Sequence, residues 1–475
     1  MRLPVELLTE VFEMLSDDKV PGPYAYGRGR RRYFFLPETK MHWVRLMLVC
    51  RHWYNIGQSS PRLWRRISIT ANLESLEYRL SRSVGCTIDI FFNEEASVND
   101  AAMSLLIPFS QRIRSLETPE DFEFDIFPSI KPLFQVALPA LENVKMLPRP
   151  KFSSQDNDIS YGSGPWFHLG LSGGLNPRLR RLEINRIVIP SPPTFFSRLR
   201  ELIINPKNFD TCDWHKSLSP ENIHNLIAHA PLLEVLEICV PKFRSEPSDP
   251  MPSATVNPST ATTQYWLPCL RKVVLKCPYL FAAPILQALN APALVVFHVE
   301  ISTNIPIVLA DIGTVIFPPS LRYVIQQYTE FFVAITKLDW GFKICDVKHQ
   351  PDRDTRQLGR LHLQVSDSTY TLNLVDTALT VLSDTFGIAS QVHSLYFSNF
   401  GRHSPPHTLW DPLHIIFPAL RSVTLRECSP SVVAGFLRKF GMLSREGAWP
   451  NIRAVDISTG ATWKPNSWEV REHRT

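Results

Sequence analysis

One spacing recurs along most of this chain and limits what it can fold into. An apolar residue is followed by two variable positions, an apolar residue, one variable position and a third apolar residue. The series opens with the shorter Ile113-x-x-Leu116 and continues as Leu141-x-x-Val144-x-Met146, Leu179-x-x-Leu182-x-Ile184, Leu199-x-x-Leu202-x-Ile204 and Leu233-x-x-Leu236-x-Ile238. It goes on through Leu270-x-x-Val273-x-Leu275, Leu294-x-x-Phe297-x-Val299, Leu358-x-x-Leu361-x-Leu363 and Val392-x-x-Leu395-x-Phe397, and ends at Leu420-x-x-Val423-x-Leu425 and Ile452-x-x-Val455-x-Ile457. Leu321-x-x-Val324 is a broken copy, with Gln326 in its third slot. Counting it, the copies lie about 31 residues apart on average, within the range that marks stacked-repeat architecture. Each copy is long enough for one short strand with two inward side chains, and such a unit cannot bury its apolar face alone.

Between the strands run helical patterns. Ser219-Pro220-Glu221 opens one with Ile223, Leu226 and Ile227 on one side, Pro430-Ser431 opens another with Val432, Val433, Phe436, Leu437 and Phe440, and residues 374–386 read the same way. Proline supplies the punctuation: the chain has 40 prolines against 19 glycines, and Pro139, Pro177, Pro231, Pro268, Pro292, Pro418 and Pro450 stand just before repeat strands. The pattern is similar to a degenerate leucine-rich repeat. That motif also wants Asn or Cys in its ninth position. Only Cys428 fills it, while Ile187, Pro241, Pro278, Phe400 and Gly460 stand elsewhere. The resemblance implies an irregular horseshoe without an asparagine ladder. The alternative for the same alternation is a compact α/β domain with a conventional sheet. Residues 148–176 and 241–264, rich in Pro, Ser, Thr, Gly and Asn, read as loop excursions. Residues 459–475 read as a polar tail, in which Trp463 and Trp468 could cap the last repeat.

The first 67 residues follow a different rule. Leu7, Leu8, Val11, Phe12 and Leu15 recur at helical spacing behind Pro4, with a stop expected near Ser16-Asp17-Asp18. Leu46, Val49, Trp53 and Ile56 predict a second helix with Gly57 as its stop. Ser60 and Pro61 read as N-cap and first residue of a short third helix lined by Leu63, Trp64 and Ile67. Three small helices make a thin core, which needs a partner surface or the rest of the chain. In order, Leu3-Pro4-x-Glu6-Leu7-Leu8-x-x-Val11-Phe12-x-x-Leu15, Leu46-x-x-Val49-Cys50-Arg51-x-Trp53-x-x-Ile56 and Ser60-Pro61-x-Leu63-Trp64 resemble an F-box. The resemblance implies docking on the Skp-family adaptor of a cullin-RING ubiquitin ligase. By position, Leu3, Pro4, Leu7, Leu8, Val11, Phe12, Leu46 and Val49 would meet the adaptor, while Leu15, Trp53, Ile56, Leu63 and Trp64 would hold the module's own core. One departure is the long insertion at 16–41, where an F-box has a short connection. The alternative for the segment is a helical cap on a larger domain, without an adaptor.

The fold expected is thus a small all-α three-helix F-box over 1–67 followed by an α/β solenoid, an irregular leucine-rich-repeat-like domain, over 68–458. The net charge of +5 sits in the N-terminal segment, where 12 Lys/Arg face 6 Asp/Glu. Arg28, Arg30, Arg31 and Arg32 could touch nucleic acid or act as a nuclear address, but a solvated loop is the simpler reading, and no nucleic-acid partner is expected. No apolar leader is seen, and the apolar stretch Leu280–Val299 is broken by Pro284, Gln287, Asn290, Pro292 and His298, so no membrane partner is expected either. Eight scattered cysteines without a Cys-x-x-Cys spacing read as reduced thiols of an intracellular protein, cytoplasmic or nuclear.

Catalytic patterns are weak. Gly170-Leu171-Ser172-Gly173-Gly174 has the spacing of a nucleophile elbow, but Asn176-Pro177 follows where a helix must start. His224 and His229 are five apart and do not share a helix face as zinc ligands would. The expectation is no enzyme, no catalytic residue, no metal and no cofactor. The chain reads as the substrate receptor of an SCF-type ligase, with the repeats holding an unidentified protein target. The second reading is a repeat scaffold that works without the ligase.

Overall fold

A computed structural model describes residues 4–17, 42–69, 72–92, 100–118, 122–123, 127–149, 167–168, 176–185, 187–188, 193–204, 220–240, 264–303, 330–337, 360–367, 394–398, 417–426, 430–445 and 452–458. Leu3, the arginine run and most of the 16–41 insertion, Gly170–Gly174, the broken copy at Leu321, the helix expected at 374–386, Cys428 and the tail with Trp463 and Trp468 lie outside the described residues, as do most of the loops 148–176 and 241–264. The chain divides into two compact units: Met1–Leu202 with Asp213–Leu218, and Ile203–Cys212 with Ser219–Thr475.

The first unit opens with helices α1 (Val5–Asp17), α2 (His42–Leu46) and α3 (Arg51–Ser59) and the 3-10 turn Pro61–Trp64. Pro4 precedes α1 and its carbonyl accepts the Leu8 N–H at 3.1 Å, so the missing proline donor costs nothing there. The second expected helix is split. A turn at 47–49 follows α2, and Cys50 is fully extended (φ −163°, ψ 166°) before α3 begins. Gly57 does not stop α3, which runs on to Ser59. Ile67 lies in a strand rather than in the third helix.

The strand β1 (Arg66–Ile69) begins two residues after the 3-10 turn. It pairs in parallel with β2 (Ile88–Phe92), β2 with β3 (Ile113–Glu117), β3 with β4 (Asn143–Met146), and β4 with β5 (Arg181–Ile184). Helix α4 (Leu73–Arg82) connects β1 to β2, and the Asn72 side chain caps it by accepting the Ser75 N–H at 2.9 Å. Helices α5 (Asp100–Leu106) and α6 (Phe127–Phe134) sit in the next two connections. The register sets the expected slots side by side: Leu116 against Val144 against Leu182, and Met146 against Ile184. Two further copies went unread in the sequence. Ile67 and Ile69 stand opposite Ile90 and Phe92 in the same slots, with Trp64 and Thr87 where leucine is expected first.

In the second unit, parallel strands cover every full copy from Leu233 onward: Val235–Cys239, Lys272–Pro278, Val296–Thr303, Arg360–Asp367, Ser394–Ser398, Ser422–Arg426 and Ala454–Ser458. One row runs Leu236, Val273, Phe297, Leu361. An additional strand, Glu330–Lys337, pairs with both Arg360–Asp367 and Ser394–Ser398. Strand Arg360–Asp367 therefore lies between Val296–Thr303 and Glu330–Lys337, and the spatial order departs there from the chain order expected of simple stacking. Helix Pro220–Ala228 forms where expected and buries Ile223, Leu226 and Ile227. Helix Pro430–Arg445 also forms, burying Val433 and Phe436 while Leu437 stays exposed. The apolar stretch after Leu280 is divided among helix Tyr279–Ala288, the two-residue strand Leu289–Asn290 and strand Val296–Thr303. Among the described residues no helix is long and apolar enough to cross a membrane.

The leucine spacing has a backbone cause. The first apolar residue of a copy closes a tight turn by donating three residues back: Leu141 to Leu138, Leu179 to Asn176, Leu199 to Phe196, Leu233 to Ala230, Leu270 to Leu267, Leu294 to Ala291 and Leu420 to Phe417. The next two N–H groups then share one carbonyl of the preceding copy, as Arg180 and Arg181 share that of Glu142, and Arg271 and Lys272 that of Glu234. The second and third apolar residues point inward and are buried, giving alternating buried and half-buried positions along β4 and β5. Just after β3, Thr118 Oγ1 accepts the Leu147 N–H at 2.8 Å and ties this chain to the residue that follows β4.

Candidate functional site

The helical module is built on seven buried side chains: Leu8, Phe12, Trp43, Met47, Ile56, Leu63 and Trp64. Edge-to-face ring pairs tie them together, Trp43 to Trp64 at 5.1 Å between centroids and Phe12 to the half-buried Trp53 at 5.7 Å. Gly57 is part of this packing. A Cβ on it would overlap Met47 Sδ and Cγ, and its carbonyl accepts the Trp64 Nε1–H at 2.8 Å. Glycine lets α3 approach the α2 turn closely enough to close the core.

This core divides the residues expected at the adaptor. Leu8 (2% exposed) and Phe12 (0%) belong to the interior, one turn apart on α1, and are not available at a free surface. Leu7 (47%), Val11 (41%) and the exposed Met14 recur at i, i+4 and i+7 on the adjacent face. Pro4 is exposed, Leu46 is half-buried against the core, and Val49 (61%) and its neighbour Leu48 are exposed in the turn after α2. Trp43 on α2 and Met47 in the turn after it point inward, which leaves Leu46 half-buried and Val49 exposed. Of the expected core residues, Ile56, Leu63 and Trp64 are buried and Trp53 packs from the side; Leu15 lies within α1, its side chain outside the described residues. Met14 and Leu48 were missed as surface residues, though the i+7 spacing from Leu7 to Met14 could have shown the first. Exposed Glu6 and Glu10 on α1 and exposed Arg45 and Arg51 around the turn put charge on the module's surface.

The module runs into the sheet through a polar cluster. Asp89 on β2 is buried at 7% exposure. Its carboxylate accepts Arg65 Nε at 2.8 Å and both Arg114 Nε, at 2.9 Å, and Arg114 Nη2, at 2.8 Å. Burial pushes the Asp89 carboxyl up from its ordinary range, opposed by the hydrogen bond and charge of Arg65. Beside it Cys86 Sγ contacts the Pro61 carbonyl at 3.3 Å, and Arg112 holds the Cys86 and Ser83 carbonyls. Burial pushes the Cys86 thiol up as well, against the pull of Arg112 and Arg65. His224 lies 5.9 Å from the Tyr265 ring, and His229 Nδ1 meets the Asn225 carbonyl at 2.7 Å. Among the described residues no three His, Cys, Asp or Glu side chains gather where they could hold a metal ion.

Residues 1–70 match the model of the F-box-like family. No curated protein matches the chain.

Proposed function

We propose that the chain is a non-catalytic substrate receptor of an SCF-type ubiquitin ligase. Its N-terminal module would dock on the Skp-family adaptor and its repeat region, a leucine-rich-repeat-like solenoid in this reading, would hold a protein target. The observation that carries the proposal is the F-box-like match over residues 1–70, on a module that leaves Leu7, Val11, Met14, Leu48 and Val49 uncovered. Large apolar side chains exposed in such number on so small a module mark a contact surface. The receptor does no bond chemistry in this scheme. It raises the local concentration of target lysines near the charged ubiquitin, which is a proximity effect.

Co-purification of the full chain with the Skp-family adaptor tests the proposal. Capture is expected for the wild type and lost for Leu7→Asp, because docking would bury an uncompensated carboxylate. A folded wild-type chain that the adaptor does not retain refutes it and favours the scaffold reading.

A further inference from the structure

The passage from the helical module to the sheet has no linker. Trp64 ends the 3-10 turn, Arg65 follows, and β1 starts at Arg66. The Arg65 carbonyl accepts the Asp89 N–H at 2.9 Å, so the first cross-strand bond forms at the last residue of the module. We infer that Asp89 is a positioning residue that clamps the docking module to the sheet at one angle. Its single buried carboxylate joins three pieces of chain, the module's end through Arg65, β2 itself, and β3 through Arg114. The Arg114 contact is bidentate and the Arg65 contact comes from a second direction, so the carboxylate fixes orientation as well as distance.

Neighbouring contacts restrain the same joint. Tyr78 Oη donates to Gln58 Oε1 at 2.8 Å, linking α4 to α3, and the Trp64 ring meets Tyr78 edge-on at 5.4 Å. Arg66 lies over the Phe91 ring at 4.6 Å. These contacts are apolar or partly exposed. The Asp89 contacts are ionic, made by a buried carboxylate to two half-buried arginines, and such charge-assisted bonds are directional where apolar packing is not. The inference rests on the docking reading for its purpose: with the module held by the adaptor, a fixed joint keeps whatever the strands of this unit carry at a constant position.

The test measures angle, not activity. Two spin labels are placed on the full chain at exposed Asn55, on α3, and exposed Ser104, on α5, through bio-orthogonal residues that leave the native cysteines intact. A single narrow distance distribution is expected for the parent chain. Asp89→Asn keeps the shape but removes the charge, and should at least double the width of the distribution while adaptor capture changes less than about twofold. Arg114→Lys, which retains the charge but loses the fork, should give an intermediate width. Amide exchange in α3 and β3 identifies any variant that has unfolded, and Arg114→Lys then decides alone. An unchanged width in folded variants overturns the clamp. The distance measurement needs no adaptor, so failure of the docking reading shows separately, as absent capture with the widths still responding.

Discussion

The helical module and the parallel strands solve the burial problem in opposite ways. The module closes a core from a few large side chains and spends much of its remaining apolar surface outward. Among the described residues, seven of the fourteen exposed large apolar side chains lie between Val5 and Tyr54. The strands bury evenly spaced apolar side chains in rows and present charge on outer positions, where Arg181 bonds Glu183 at 3.1 Å and Glu201 at 2.8 Å. A surface whose charges are matched within the chain offers less to a partner than one whose apolar side chains are unmatched. In the proposed function, docking therefore falls to the module and structural continuity to the strands.

The sharpest way to break that comparison is at Leu7 and Val11. Leu7→Asp with Val11→Asp should lower adaptor affinity more than about 100-fold while shifting module stability by only about 0.5 kcal/mol, the usual scale for surface positions. Titration calorimetry and amide exchange in α3 read the two effects separately. Equal losses of both would mean that this face is interior to the module's fold. Phe12→Ala works in the opposite sense. It should cost about 3–5 kcal/mol, comparable to everything a core this small supplies, so protection in α3 should vanish. Leu182→Ala, in a row of buried neighbours, should cost about 2–5 kcal/mol and loosen β4 and β5 while β1 and β2 keep their protection. Uniform loss across the first unit would show that its strands do not share the burden by neighbours. Gly57→Ala should overpack the module against Met47 by about 1–3 kcal/mol, read as faster amide exchange in α3. Asn72→Ala, an exposed cap outside both cores, should cost only about 1 kcal/mol and appear as faster exchange in the first turn of α4.

The strands were legible because each copy needs the same two inward side chains and the same turn before them. The copies at Trp64 and Thr87 escaped notice because the first slot tolerates other residues, being set by a backbone bond as much as by leucine. Strand Glu330–Lys337 is concealed for the same reason: Phe331 and Val333 stand in the row positions, with Tyr328 where leucine is expected first. In the module, helical spacing located the apolar residues of α1 without telling which of two adjacent faces turns inward. Leu7 and Leu8 are neighbours in sequence and nearly alike in chemistry. Only the placement of Trp43 and Met47 separates them, and that depends on the break at Cys50, which no local residue preference announces. The expected domain boundary at residue 67 falls within β1, since Ile67 serves the first row of strands directly behind the module.

The exchanged strand order bears on how the chain assembles. A row of parallel strands in chain order can grow at its end as each unit leaves the ribosome. Strand Glu330–Lys337 is made before Arg360–Asp367 but takes its place on the far side of it. At synthesis rates of about 5–20 residues per second, its bonding edges stay open for several seconds until the later strand arrives. During that interval the strand presents unpaired backbone groups, the template on which other chains can pair.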